Sequence, residues 1–458
     1  MWLALVSATM VLAATTVWAT GLPVPEPKVI ALEVEPPPAG DLESAGSLIA
    51  ADVDNDGAME LLVTAPGYLG AYRTDGRRLW SLRTDIRVGG QSESQGLPGH
   101  HGPGVAAGDV DADGATEVIF LTQDSRLHVV AGATGEEKWT AAPPVPEGAE
   151  RWEQVMVATF RGGKDQDLLL QATNRDGYRT GRYLTAYAAD ALHGGGEALW
   201  STTDFVSCAH NGARLADLDG DGRDEVLGAT VLGPDGTLLV QIPLRGHVDS
   251  VFAGDVVPER PGLEVVMLEE GGRDGNRVFI VARDAVLVET HHEHREPQNA
   301  AVGRFDLSRP GLQVWCRSRD NEHQKPFVFG NTGELIARYE MDDVAPEGWT
   351  VRGVEVIWTI DWTGEPQQLA AAKERHKAGD VCLFDPISGE FRLRLPERAA
   401  RLYVADVTGD WREELVVWNG SELHLYENAA PNPNPGRARL WEEQRYRRAK
   451  SVWNYYSP

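Results

Sequence analysis

One short pattern recurs along this chain and constrains its fold more than any other feature. Asp52-Val-Asp54-Asn-Asp56-Gly57 with Glu60, Asp109-Val-Asp111-Ala-Asp113-Gly114 with Glu117, and Asp217-Leu-Asp219-Gly-Asp221-Gly222 with Glu225 are near-copies. A fourth copy, Asp406-Val-Thr408-Gly-Asp410-Trp-Arg-Glu-Glu414, keeps the spacing with Thr in the third slot. Each follows a short small or apolar run, and the full copies lead into β-type runs such as Leu61-Leu-Val and Val118-Ile-Phe. Looser echoes begin near Thr159, Asp255, Arg304 and Asp361, giving eight starts about 38 to 58 residues apart. Hairpin signals lie between the starts, and helical periodicity is almost absent. Strands repeated at that period predict an all-β propeller of eight blades, with seven as the alternative, whose closure removes free sheet edges.

Carboxylates at positions 1, 3 and 5 of a short loop, with Gly at position 6, are how a turn wraps a hard cation in oxygen ligands. An EF-hand would need a bidentate Glu at position 12, where this chain has Val63, Phe120 or Gly228. Its acid sits at position 9, and a strand follows. The loops are therefore expected to hold Ca²⁺ between strands, with ligands drawn from Asp52, Asp54, Asp56, Glu60; Asp109, Asp111, Asp113, Glu117; Asp217, Asp219, Asp221, Glu225; and Asp406, Thr408, Asp410, Glu414. Near Asp255 and Asp306 the acids give way to Pro-Gly turns, which are expected to bind nothing.

The chain of 458 residues carries 69 acidic and 43 basic side chains, a net charge of −26. That excess argues against a nucleic-acid-binding body, which needs clustered Lys and Arg. Three cysteines, Cys208, Cys316 and Cys382, exclude a disulfide scaffold. Residues 1–19 read as a signal peptide ending in Val17-Trp18-Ala19, which implies a secreted or periplasmic protein with no membrane span in its mature chain. Residues 20–44 read as a Pro-rich lead-in, 45–428 as the propeller and 429–458 as a tail packing on it; a monomer is expected.

In a propeller the strand nearest the axis leads each blade, so residues just upstream of each loop gather at one mouth of the central channel. That register holds His100 and His101, His210 and Asn211, His247 and Asp249, and Gln298 and Asn299. An Arg- and Tyr-rich segment with Tyr178 and Arg182 leads into a blade strand and could reach over the same mouth.

The acidic loops resemble the FG-GAP/VCBS type of calcium-binding propeller repeat. The order of further motifs resembles the family 11 rhamnogalacturonan lyases: Asn211-Gly-Ala-Arg-Leu-Ala-Asp217, Gly246-His247-Val-Asp249 leading to Pro261-Gly-Leu-Glu264, and Val302-Gly-Arg304 leading to Pro310-Gly-Leu-Gln. Gly409-Asp-Trp-Arg-Glu-Glu414 and Arg445-Tyr-Arg-Arg-Ala complete the set, the former being the most specific piece. The resemblance implies a secreted, Ca²⁺-dependent propeller that cleaves acidic rhamnose-containing polysaccharide by β-elimination, and the propeller-shaped ulvan lyases are similar. Elimination next to a uronate carboxylate needs that carboxylate neutralised, a base for H5 and an acid for the leaving oxygen. His101 or His210 is assigned as base, Tyr178 as acid, and Arg182 with Asn211 or Asn299 as carboxylate holder. His100, His247, Asp249, Gln298 and Arg412 complete the expected substrate contacts. The competing class is a non-catalytic propeller that binds glycan or protein at the same mouth.

Overall fold

The computed structural model describes residues 21–34, 46–88, 104–175, 180–208, 212–271, 276–291, 297–320, 322–375 and 379–452. Its strands form eight four-stranded antiparallel sheets, the blades of a propeller. Blades 1 to 7 span residues 47–83, 105–141, 149–202, 214–241, 247–291, 300–338 and 354–399. Blade 8 takes three strands from 401–426 and its fourth, outermost strand from Lys28–Ala31, which pairs antiparallel with Glu422–Leu425. The segment read as a lead-in thus supplies a strand of the propeller. Its alternating Ile30, Leu32 and Val34 are buried while Val29 is exposed, the period-two pattern of an edge strand. The ring also closes at the axis, where the Ala50 N–H of blade 1 donates to the Tyr403 hydroxyl of blade 8 at 3.1 Å. All eight repeat starts seen in the sequence follow an innermost strand.

Second strands such as Glu60–Ala65 and Glu117–Leu121 are buried on both faces, which is why they read as continuous apolar runs. Neighbouring blades lock through an aromatic on one fourth strand and a glycine turn on the next blade. Trp80 lies against Gly135 and Trp200 against Gly236; a Cβ on either glycine would come within 2.8 Å of the indole. The Trp80 indole N–H donates to the Gly132 carbonyl at 2.6 Å, so the contact is directional as well as apolar.

The tail crosses one end of the ring. Its short helix Gln444–Lys450 sends Arg448 to Asp224 of blade 4 at 2.8 Å and Asp165 of blade 3 at 2.6 Å. Lys450 meets Glu413 of blade 8 at 2.8 Å. Blades 4 and 8 stand opposite each other in an eight-membered ring, so the helix spans the axis. Cys208, Cys316 and Cys382 are all buried. Among the described residues no helix is long and apolar enough to cross a membrane.

Candidate functional site

Antiparallel strands alternate in direction, so the topology sorts connections onto two ends of the ring. Every inner strand starts at one end, the mouth face, and finishes at the other, the loop face, where the acidic loops lead into the second strand.

On the loop face the first carboxylate organises its own turn in blades 1 and 4. Asp52 accepts from the Asp56 and Gly57 N–H groups at 3.1 and 3.0 Å, and Asp217 from Gly220 and Gly222 at 2.8 Å each. The sixth-position glycines 57, 114 and 222 take φ of 88°, 88° and 85°, a left-handed turn that a side chain would strain. The ninth-position acid braces the loop by accepting from the second-position N–H: Glu60 from Val53 at 3.1 Å, Glu117 from Val110 at 3.0 Å, Glu225 from Leu218 at 2.8 Å. Neutral Gln313 makes the same brace to Phe305 at 2.8 Å in a loop without the acids. The brace therefore belongs to the fold rather than to any ion.

What distinguishes the full copies is convergence. Asp52, Asp54 and Glu60; Asp109, Asp111 and Glu117; and Asp217, Asp219 and Glu225 each bring ligand atoms within 4.8 Å of one another. Asp54 Oδ1, Glu60 Oε1 and Asp109 Oδ1 are buried oxygens without a hydrogen bond. Burial, with smaller help from Asp54, pushes the Glu60 carboxyl up to about 7. Such a donor set fits a hard divalent cation. The fifth-position Asp56, Asp113 and Asp221 stand outside these sets, each accepting from a backbone N–H two residues on.

The fourth copy departs from expectation. Asp406, Thr408, Asp410 and Glu414 form no converging group among the described residues: Thr408 brings no carboxylate, and Asp410 is held by Arg412 at 2.5 Å. Trp411, in the glycine slot with φ 64°, donates its indole N–H to the Asn434 carbonyl at 2.7 Å and lies under the Arg437 guanidinium. This copy anchors the tail. Arg412, expected to touch substrate, also donates to the Ala430 carbonyl at 2.9 Å and sits on the loop face, at the opposite end from the mouth. Its motif is a tail clasp.

Of the residues expected at the mouth, His100, His101, Tyr178, His210 and Asn211 lie outside the described residues. His247 opens the inner strand of blade 5, and Asp249 lies two residues on, at the bulge between Val248 and Ser250. Their Nε2–Oδ1 distance is 3.1 Å. Glu270, closing the second strand, completes a set of ligand atoms within 4.8 Å. Gln298 of the next blade donates to Glu270 at 2.8 Å and accepts from Arg317, whose backbone N–H donates to the Asn299 carbonyl at 2.8 Å. Asp249, Asn299 and Arg317 are buried. The hydrogen bond that the His247 ring N–H donates to Asp249 raises the His247 pKa, favouring imidazolium. Blade 7 adds the buried pair Lys373–Glu355 at 2.7 Å near the same end of its strands. The structure thus joins His247, Asp249, Gln298 and Asn299 in one network. Arg182 stands exposed on the outer third strand of blade 3, with its guanidinium over the Tyr183 ring.

Sequence reasoning missed Glu270, Arg317 and Lys373. Each follows the apolar run of a second strand (Val265-Val-Met-Leu, Val314-Trp-Cys, Leu369-Ala-Ala-Ala), whose exit lies beside the entrance of the first. Reading strand exits as well as entrances would have found them. A cavity of about 680 Å³ lined by Arg304, Asp361, Arg437 and Lys450 opens on the loop face beneath the tail, away from this network.

Comparison with known proteins follows the same lines. The family model described as rhamnogalacturonan lyase family 11, C-terminal domain, matches residues 178–456, and an FG-GAP-like repeat matches 52–120. The chain is similar to the rhamnogalacturonan exolyase YesX of Bacillus subtilis (strain 168), 27% identical with 84% of this chain and 71% of the relative covered. It is also similar to the rhamnogalacturonan endolyase YesW of that organism, 24% identical with 85% and 68% covered. The crystal structure of the exotype lyase YesX superposes with a TM-score of 0.69 at 20% identity, covering 94% of this chain and 81% of that one, a likeness of fold.

Proposed function

The chain belongs to rhamnogalacturonan lyase family 11, and on that premise we propose that it is an exported lyase that cleaves a rhamnose–uronate polysaccharide, of rhamnogalacturonan or ulvan type, by β-elimination at the mouth face. The observation that carries this reading is the network of His247, Asp249, Glu270, Gln298 and Arg317 at the entrance of the channel. A Ca²⁺ ion held by the carboxylate oxygens of Asp249 and Glu270 would neutralise the uronate carboxylate and so acidify H5. Gln298 fixes Glu270 for that task, and the Asp249 carboxylate orients the imidazole of His247. His101 or His210 takes H5, Tyr178 protonates the leaving oxygen, and Arg182, helped by Asn211 or Asn299, steadies the carboxylate. The apolar segment 1–19 supports export.

The test is unsaturated-uronate absorbance on rhamnogalacturonan and on ulvan. The wild-type protein is expected to generate it on at least one polymer, and His101→Ala or His210→Ala to lose it. Full activity in both variants would remove the base assignment. Binding of either polymer by the wild type without new absorbance would make the propeller a non-catalytic glycan module.

A further inference from the structure

Each of the three converging acidic loops already holds a cationic side chain of the protein among its carboxylates. In blade 2, Lys138 Nζ lies 2.6 Å from Asp111 Oδ2, 3.0 Å from Asp113 Oδ2 and 2.8 Å from Glu117 Oε1. Its three N–H donors thereby meet three separate carboxylates, the full complement of an ammonium group. In blade 1, Arg73 pairs with Asp54 and, at 2.6 Å, with Asp56, while its Nε stands 3.9 Å from Glu60. In blade 4, Arg283 Nε lies 3.1 Å from Asp219 Oδ2 and 2.9 Å from Glu225 Oε1.

The three cations arrive by different routes. Arg73 ends a third strand, Lys138 lies in a fourth strand, and Arg283 reaches across from the turn between the last two strands of blade 5. Three unrelated positions in the repeat thus deliver one positive charge to one place, so local sequence does not impose the coincidence. Calcium would need carboxylate oxygens of these sets at about 2.3–2.6 Å, and in each loop two of the three converging carboxylates already face the side-chain nitrogen. A metal ion and the side-chain cation therefore compete there for shared carboxylates and repel each other by charge.

We propose that Arg73, Lys138 and Arg283 are built-in counter-ions that hold these loops folded without metal, and that a hard divalent cation enters only by expelling them. The loops are then weak, displaceable cation sites. Blade 2, where the ammonium is saturated, resists exchange most. Blade 1 yields most readily, because Asp54 Oδ1 and Glu60 Oε1 remain buried without hydrogen bonds beside Arg73. The inference is independent of the lyase reading.

The experiment is calorimetric titration of chelator-stripped full chain with CaCl₂, paired with thermal melts in EDTA and in CaCl₂. Lys138→Met is expected to gain one Ca²⁺ site at least about tenfold tighter than any loop site of the wild type, since Asp111, Asp113 and Glu117 lose their shared ammonium partner. Its Tm should fall in EDTA and recover in CaCl₂ more than the wild type's does. Lys138→Arg should behave as wild type, and adding Asp111→Asn to Lys138→Met should abolish the gained site. Arg283→Met provides the same comparison in blade 4 should the blade 2 variant not fold in EDTA. A Lys138→Met or Arg283→Met isotherm that superposes on the wild type's, or a wild-type Tm that drops in EDTA as far as the variant's, would overturn the proposal.

Discussion

The two ends of this ring are built by opposite strategies. On the loop face one device is copied from blade to blade: a ninth-position acid or amide accepting a backbone N–H, with a left-handed glycine in each full copy. Repetition there serves architecture, and substitutions drift within it, from Glu to Gln or from Gly to Trp, without loss of the turn. On the mouth face the described residues of blades 5, 6 and 7 differ from one blade to the next. Blade 5 brings His247, Asp249 and Glu270, blade 6 Gln298 and Arg317, blade 7 Glu355 and Lys373. The difference makes the mouth, where the repeat is broken, the place to look for the proposed chemistry.

The largest expected effect lies at the mouth. Asp249→Asn keeps the shape of a fully buried side chain while removing the charge opposite His247. It should lower turnover of the polysaccharide by about 10²-fold or more, with the circular-dichroism spectrum unchanged; retained turnover would put the reacting centre elsewhere. On the loop face the effects should fall on stability instead. Arg448→Met strips a buried guanidinium from Asp224 and Asp165, so it should cost about 3 kcal/mol in denaturant unfolding. A loss well below about 1 kcal/mol would mean the tail merely rests on the ring.

A subtler effect is pH-dependent. Burial, then Glu413, lifts the Asp361 carboxyl from 3.8 to about 6. The native state therefore keeps a proton that the unfolded chain has released, and Asp361 makes stability fall as pH rises from 3.8 to about 6. Asp361→Asn should flatten that slope, raising Tm near neutral pH and leaving it unchanged below the unfolded value; melts across pH check this. The smallest effect separates loop copies. Ala112 takes φ 64° where blade 4 has Gly220 at 76°, so Ala112→Gly should stabilise the chain by about 0.5–1 kcal/mol. Denaturant midpoints would resolve it.

The fold was legible because its repeat is written in turn chemistry: Asp and Gly at fixed spacing report a bend regardless of what surrounds it. The strand Lys28–Ala31 escaped because prolines flank it, and its partner Glu422–Leu425 lies at the far end of the chain, a pairing that no local pattern announces. Arg412 misled for a related reason. A distinctive motif marks a constraint, and here the constraint is the tail, which Trp411 and Arg412 clasp through Asn434 and Ala430. His247 and Asp249 could be placed at a strand entrance by counting back from the loops. Glu270 and Arg317 sit at strand exits, whose distance from the next loop varies with hairpin length.

The most direct measurement is a crystal structure of the Asp249→Asn protein soaked with a rhamnogalacturonan oligosaccharide. A uronate carboxylate lying within hydrogen-bonding reach of His247, Gln298 or Arg317 is the predicted result. Saccharide bound under the tail on the loop face, with the mouth bare, would contradict the division of labour between the two ends.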